Sequence, residues 1–176
     1  RDRTMTQRAT PEAVRAPWDV TLPLDGVDYV LYRKGNEFWA KTPDPDIDFE
    51  RRKAMEEEGA DTTVETAPMV ERQIVMTTGS HFLQSYWVES ENRPGEMLLF
   101  PWVYHIEAKR WMPYEDSFLI HPDLPRPAVR WNSNCIACHT VNGNPGREQT
   151  NEGIRFSTKV VEQGISCEAC HLSLIH

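Results

Sequence analysis

The feature that most constrains the fold and chemistry of this 176-residue chain is the arrangement of its four cysteines. None is left over, because they form two copies of one pattern: Cys135-Ile-Ala-Cys138-His139 and Cys167-Glu-Ala-Cys170-His171. The spacing C-x-x-C-H is typical of a c-type haem attachment site. The two thiols of each motif would form thioethers with the two vinyl groups of a haem, and the adjacent histidine would be the proximal iron ligand. The sequence therefore predicts two covalently attached haem c groups.

Zinc binding, disulfide bonding and thiol redox chemistry also use paired cysteines, but each fits this pattern less well. A Cys₄ zinc site needs C-x₂-C pairs, but residues 139–166 separate these pairs by more than the usual gap, and zinc gives no reason for a histidine after both. Disulfides are disfavoured because thiols only two residues apart are more typical of cofactor or redox sites. A thioredoxin-like pair would open a helix within a βαβ unit, and the sequence shows no such unit.

The charge and the hydropathy of the chain exclude two classes of partner. With 27 acidic and 19 basic residues the net charge is −8, and the pI near 5.2 argues against a nucleic-acid surface. The longest apolar runs, such as residues 97–103, are far shorter than the ~20 residues that span a bilayer, so we expect no membrane span. The chain starts at Arg1 with no apolar signal region, so we expect a piece of a longer protein.

Most of the chain before residue 113 has the pattern of antiparallel strands. Residues 1–19 are polar and lack a sustained period, so they are predicted to be an extended arm that docks on another surface. Residues 20–112 are predicted to be a β-rich domain, since aromatic and β-branched runs alternate with turn residues. The predicted strands are 27–32, 37–40, 72–78, 84–89, 97–106 and 110–112. Residues 42–67 are predicted to be a solvated loop with one or two helical turns.

Residues 113–176 are predicted to be a dihaem-binding segment whose fold depends on its haems. Prolines interrupt it, and it is so poor in periodic apolar residues that it would not fold well alone. Two covalently held haems, each a large apolar disc, would supply the missing core. The predicted fold class is therefore α+β, mostly an antiparallel β meander, plus a loop-rich haem-binding segment organised around two haems. The large aromatic residues of the strands are expected to form the core of the sheet: Trp87, Phe100, Trp102, Tyr104 and Trp111.

The sequence resembles the multihaem c-type cytochromes that carry doubled C-x-x-C-H motifs. The resemblance rests on residues 131–140, on residues 164–171, and on the upstream run 77–81 with Gln84, Tyr86 and Trp87. Two departures are evident. The family usually has a further C-x-x-C-H near the amino end, which this chain lacks. Where the family continues with Gly-Pro-Gly after the second motif, this chain has residues 172–176, Leu-Ser-Leu-Ile-His.

Each haem iron needs a sixth ligand if it is to be six-coordinate, and the four remaining histidines are the candidates. His81 is the preferred distal ligand, because it follows a Gly-Ser turn before an aromatic strand and the resemblance places it in a family motif. His105, His121 and His176 are the further candidates. His105 lies in a predicted strand, and His121 precedes Pro122.

These features favour electron transfer by a segment of a multihaem cytochrome c. Two imidazoles on one iron leave no position for substrate, which favours an electron carrier without catalytic residues. The first alternative is a periplasmic haem oxidoreductase, in which a five-coordinate iron binds a small nitrogen or oxygen species. The second alternative is a zinc-stabilised Cys₄ interaction module. We expect the partners to be other redox proteins or further haem domains of the parent chain, and the location to be periplasmic or at the cell surface.

Overall fold

The computed structural model describes residues 6–58, 67–117 and 128–164. These residues are organised around one antiparallel sheet of eight strands: β1 (Thr6–Arg8), β2 (Val20–Leu24), β3 (Val27–Lys34), β4 (Glu37–Pro43), β5 (Met69–Thr78), β6 (Leu83–Glu89), β7 (Met97–His105) and β8 (Arg110–Pro113). Strands β2 to β8 follow one another in chain order, and β1 pairs with β5. The sheet is nearly closed and barrel-like.

The strands predicted between residues 27 and 112 are all present, and most extend further than predicted. The hairpin of β3 and β4 turns at Gly35, whose φ of +62° lies in the left-handed region, and pairs Tyr32 with Trp39. Strand β2 is an addition to the prediction. The amino-terminal arm supplies β1, in which Thr6 lies opposite Thr78 of β5, so the described part of the arm docks on the sheet of this chain.

The main core fills the inside of the curled sheet. Because side chains alternate across a strand, every second residue of the inner strands points there. Tyr29 of β3 contacts Phe100 and Trp102 of β7 edge to face, with ring centroids 5.9 and 6.3 Å apart, so strands remote in the sheet order meet through the interior. Trp18, from the arm, also enters this core. The expected core role is confirmed for Phe100, Trp102 and Tyr104, and Trp111 packs against the same cluster.

A second set of apolar side chains lies on the outer face of the sheet, where the strand pairing has two irregularities. The register shifts between Ile74 and Met76 where β5 meets β6, and between Ser85 and Trp87 where β6 meets β7. On the outer face, Met76 and Trp87 form a buried cluster with Trp131 and with Ile136 from the carboxyl-terminal part. This outer cluster joins the sheet to the first C-x-x-C-H motif.

Helix α1 (Pro45–Glu58) fills the connection between β4 and β5. Asp44 caps its start, since the Asp44 Oδ1 accepts a hydrogen bond from the Asp46 N–H at 3.0 Å. Asp46 is buried and accepts a hydrogen bond from the Glu91 N–H at 3.0 Å, which ties the helix to the end of β6. Within the predicted loop, helix α1 is therefore longer than the one or two turns expected. Nowhere in the described ranges is a helix long and apolar enough to cross a membrane.

The structure corrects the predicted fold class. The protein is mostly antiparallel β and not α+β, and the described residues contain no loop-rich segment organised around haems. After α2 (Tyr114–Ser117), residues 128–164 form short elements: a π-helical turn (Trp131–Cys135), α3 (Ile136–His139), β9 (Thr140–Val141), β10 (Arg147–Thr150), β11 (Gly153–Phe156) and β12 (Glu162–Gln163). The prediction was wrong because it left the outer face of the sheet out of account. That face supplies the apolar partners of Trp131 and Ile136.

Candidate haem site

The first C-x-x-C-H motif lies on a short helical segment, here called the motif helix, which consists of the π-helical turn Trp131–Cys135 and α3. Trp131 and Ile136 are 4% and 2% exposed and pack into the outer cluster. Gly143 follows closely, and a Cβ there would lie 2.4 Å from the Ile136 Cγ1 and 2.3 Å from the Thr140 Oγ1. The apolar side of the helix thus faces the sheet, and this contact determines where the motif sits.

Asn132 fixes the motif helix to two loops and a strand. Its side chain is 1% exposed, and its Oδ1 accepts a hydrogen bond from the Met97 N–H at 2.8 Å. Its Nδ2 donates to the Gly95 carbonyl at 2.9 Å and to the Thr158 Oγ1 at 2.7 Å. Because a buried amide without partners is costly, these three bonds hold the helix in one position.

A buried ion pair lies at the start of the motif helix. Glu96 is fully buried, and its two carboxylate oxygens contact the Arg130 Nε at 2.9 Å and the Arg93 Nη1 at 3.1 Å. The Arg130 guanidinium also lies over the Phe49 ring, 4.8 Å from its centroid. A buried carboxylate needs a paired charge. Glu96 therefore holds Arg130 in place, immediately before Trp131.

A cavity of about 290 Å³ separates the motif helix from the outer face of the sheet. This volume lies just below the range of roughly 300–1,000 Å³ for ligand pockets. Cys135 and His139 of the motif form one part of its wall. The β5–β6 region forms a second part, with Thr78, Gly79, Leu83, Ser85 and Trp87. The rest of the wall consists of Leu99, Tyr114 and Val129. The fold therefore places one thiol and the imidazole of the first motif in the same cavity, beside the Gly79 turn.

The two thiols of this motif lie in different environments. Cys135 is half-buried at the cavity, and burial, together with the neighbouring Cys138, raises its pKa to about 11. Cys138 is exposed. Burial, followed by the charge of Cys135, also raises the pKa of Tyr114 on the cavity wall. At neutral pH the Cys135 thiol is therefore protonated and Tyr114 is a neutral phenol.

The residues at the cavity fit a haem at the first motif. His139 lines the cavity, and its buried Nδ1 has no hydrogen-bond partner among the described residues. Its carbonyl accepts hydrogen bonds from the Gly164 N–H at 2.9 Å and from the Thr6 Oγ1 at 3.4 Å, so its backbone is held from two sides. Two thiols and one imidazole on a single short helix are the donor set that covalent haem attachment requires.

The structure places His81 and His105 near each other but outside the wall of the cavity. His81 is exposed, two residues after Gly79, and the Ser80 Oγ lies 2.9 Å from its Nδ1. His105 ends β7, and its Nδ1 accepts a hydrogen bond from the Ala108 N–H at 3.1 Å. Phe82 stacks on His105 with ring centroids 4.5 Å apart. His81 is thus next to the cavity wall, and His105 belongs to the adjoining end of the sheet.

The remaining predicted site residues lie outside the described residues: Cys167, Cys170, His171, His121 and His176. Within the ranges 6–58, 67–117 and 128–164, no group of three His, Cys, Asp or Glu side chains converges as a metal site. A haem iron does not require such a group, because the porphyrin supplies four of its ligands.

The comparisons with known proteins agree with the chemistry of this site. Residues 107–172 match the family model described as cytochrome c554 and c-prime. The matched range includes both C-x-x-C-H motifs and the motif helix. It supports a cytochrome c type for this part of the chain, with a cytochrome-type role in electron transfer and haem c as the cofactor. No curated protein and no solved structure matches the chain.

Sequence reasoning missed two kinds of residue at this site. The first kind is the set of wall residues that carry no metal-binding group, such as Tyr114 and Ser85. The second is the set of buried polar anchors, chiefly Asn132 and Gln84. The one signal for Gln84 is its place in the run that carries the family resemblance. Asn132 also lies in such a run, residues 131–140, but nothing there marks it as a buried anchor, since it looks like a loop residue among Trp131, Ser133 and Asn134.

Proposed function

We propose that this chain is the dihaem part of a multihaem c-type cytochrome that relays electrons. The observation that carries the proposal is the cavity in which Cys135 and His139 face the outer wall of the sheet. The second motif, Cys167 to His171, has the same residue types and spacing and lies within the range that matches the cytochrome model. These two observations support the proposal of two haem c groups, one for each motif.

Each motif would hold its haem through two thioethers and one imidazole. At the first motif, Cys135 and Cys138 would form the thioethers, and His139 would be the proximal ligand; at the second, the corresponding residues are Cys167, Cys170 and His171. The bound haem supplies one-electron redox chemistry. The residues of this chain orient it, since Asn132 and the outer cluster fix the helix, and Trp87 and Leu99 form an apolar part of the cavity wall.

His81 is the proposed distal ligand for one iron. It lies two residues from Gly79, which lines the cavity, and the Gly79 turn packs tightly against β6, because a Cβ at this glycine would lie 2.0 Å from the Leu83 carbonyl oxygen. His105, His121 and His176 stay alternatives for the remaining axial position. With imidazoles on both faces an iron is six-coordinate, which suits electron transfer and leaves no site for substrate.

The partners proposed for this electron carrier are other redox proteins or further haem domains of the same parent chain. Exposure of Cys138 supports this proposal, since a thioether formed there would lie at the protein surface, where a partner can approach. The proposed location is the periplasm or the cell surface, because haem is attached to C-x-x-C-H motifs outside the cytoplasm.

The test is to count the haems on the intact protein. The chain is expressed with an export signal and the haem maturation machinery, and its mass and pyridine haemochrome spectrum are measured. Two haems per chain are expected; the mass of the bare polypeptide, or bound zinc, would refute the proposal. Addition of nitrite, hydroxylamine or peroxide then separates an electron carrier, whose Soret band stays unchanged, from a haem oxidoreductase, whose Soret band shifts.

A further inference from the structure

Gln84 of β6 is fully buried beside the candidate haem site, and all four hydrogen-bonding positions of its amide are used. Its Oε1 accepts hydrogen bonds from the Arg15 N–H at 2.7 Å and from the Tyr86 hydroxyl at 2.8 Å. Its Nε2 donates to the Ala13 carbonyl at 2.9 Å and to the Gly79 carbonyl at 3.1 Å. A single side chain thus connects the amino-terminal arm to the Gly79 turn.

The Gly79 turn forms part of the cavity wall. Gly79 has a φ of +92°, and the close approach of the Leu83 carbonyl leaves no room for a side chain there. The turn leads from Thr78, which also lines the cavity, to Ser80 and His81. Because the Gly79 carbonyl points to Gln84, the amide of Gln84 determines the orientation of the peptide that begins this turn.

The amino-terminal arm reaches the opposite wall of the same cavity. Thr6 pairs with Thr78 in the sheet, and its Oγ1 donates a hydrogen bond to the His139 carbonyl at 3.4 Å. A few residues later the Ala9 N–H donates to the Val75 carbonyl at 3.0 Å. The arm is therefore held by the motif helix at one end and by Gln84 at the other.

We infer that Gln84 is a positioning residue for the haem of the first motif, because it holds the Gly79 wall of the cavity in place against the amino-terminal arm. This inference rests on the proposed function. Gln84 does not line the cavity, so it acts through the Gly79 peptide and the arm. Loss of its two donated bonds frees the Gly79 turn while the strands on either side stay paired.

The experiment compares two variants of the full haem-loaded chain, Gln84→Ala and Tyr86→Phe. Tyr86→Phe removes only the hydroxyl that donates to the Gln84 Oε1, and both bonds donated by Gln84 survive. Absorption and EPR spectra report the axial environment of the haems, and urea unfolding reports stability. We expect Gln84→Ala to change the Soret maximum or the g values of one haem. Tyr86→Phe is expected to lower the urea midpoint and leave the spectra as in the wild type.

A third variant, Gln84→Met, covers the case in which Gln84→Ala does not fold, because methionine fills a similar volume. It loses both donated bonds, so the same spectral change is expected. Wild-type spectra in whichever Gln84 variants fold, or equal spectral changes in Tyr86→Phe, would overturn the inference. Two attached haems in the wild type would at the same time leave the proposed function standing, whereas a wild type without haem would overturn both.

Discussion

The Asn132 Oδ1 accepts a hydrogen bond from the backbone N–H of Met97 at 2.8 Å, and this bond joins the motif helix to the first residue of β7. The two residues are 35 positions apart in the chain. The bond matters for the site because Met97 and Leu99 also pack against the outer cluster. The polar anchor and the apolar contact therefore act at the same place and fix the same helix.

Asn132→Ala is expected to destabilise the protein by about 2–4 kcal/mol, since three bonds of about 1 kcal/mol each are lost and buried partners are left unpaired. The measurement is the free energy of unfolding in urea. Asn134→Ala is the matched control, because Asn134 is exposed and accepts one bond, from the Arg130 N–H at 3.0 Å. An equal effect of the two substitutions would contradict the anchoring role of Asn132.

Alkylation of the chain before haem attachment should distinguish the two thiols of the first motif. At pH 8 iodoacetamide is expected to modify exposed Cys138 quickly and Cys135 slowly, because the thiolate is the reactive form and the pKa of Cys135 is about 11. The rate at Cys135 should rise about tenfold per pH unit up to that value. Peptide mass spectrometry gives both rates. Equal rates at pH 8 would show that Cys135 is not shielded.

The same pKa shift predicts how the haem-free chain responds to alkaline pH. The pKa of Cys135 is raised in the folded state above its unfolded value of about 8.5. Its contribution to stability is therefore fully present below about pH 8.5 and is lost as the pH rises toward 11. The midpoint of urea unfolding should fall over this range. The midpoint of the Cys135→Ser variant should fall less. An identical decline of the midpoint in both chains would rule out ionisation of Cys135 as its cause.

Replacement of both cysteines in one motif should remove one haem and leave the other. The double variant Cys135→Ser with Cys138→Ser is expected to have a mass lower by one haem, because the thioethers of the first motif cannot form. The matched control is Cys167→Ser with Cys170→Ser, which should lose the second haem. Intact mass and haem-stained gels measure both. A double variant that retains both haems would contradict the assignment of one haem to each motif.

His81→Met should change the ligation of one haem. Methionine as an axial ligand raises the reduction potential, so one of the two potentials is expected to rise and the low-spin spectrum to change. Redox titration followed by absorption spectroscopy measures this. His105→Met tests one alternative ligand in the same way, since His105 packs against Phe82 at the adjoining end of β7. Unchanged potentials in His81→Met would exclude His81 as a ligand and leave His105, His121 and His176.

The sheet was largely predictable from the sequence, and its shape was not. Alternating apolar and aromatic residues identify β3 to β8, because that alternation is a local property of each strand. The bulge at Val75 depends on the pairing of β5 with β6, so no local pattern indicates that Met76 faces outward while Ile74 faces the main core. The predicted fold class was wrong for a related reason, because the apolar partners of Trp131 and Ile136 lie on that outer face.

The part of the site that could be predicted is the part whose chemistry depends on residue types and their spacing. The C-x-x-C-H spacing identifies Cys135, Cys138 and His139 as a haem motif without knowledge of the fold. The residues that hold the motif are not recognisable in this way. Gln84 and Asn132 are ordinary amides in the sequence, and they become anchors because carbonyls and N–H groups from distant parts of the chain converge on them.

The hydrogen bond between Thr6 and His139 connects residues 133 positions apart, and this separation has a consequence for biosynthesis. A ribosome makes the chain from its amino end, so strands β1 to β8 are complete at Pro113 before the motif helix exists. The outer face of the sheet can thus form first as a template. Trp131 and Ile136 then pack on that surface and bring Cys135 and Cys138 into position for haem attachment.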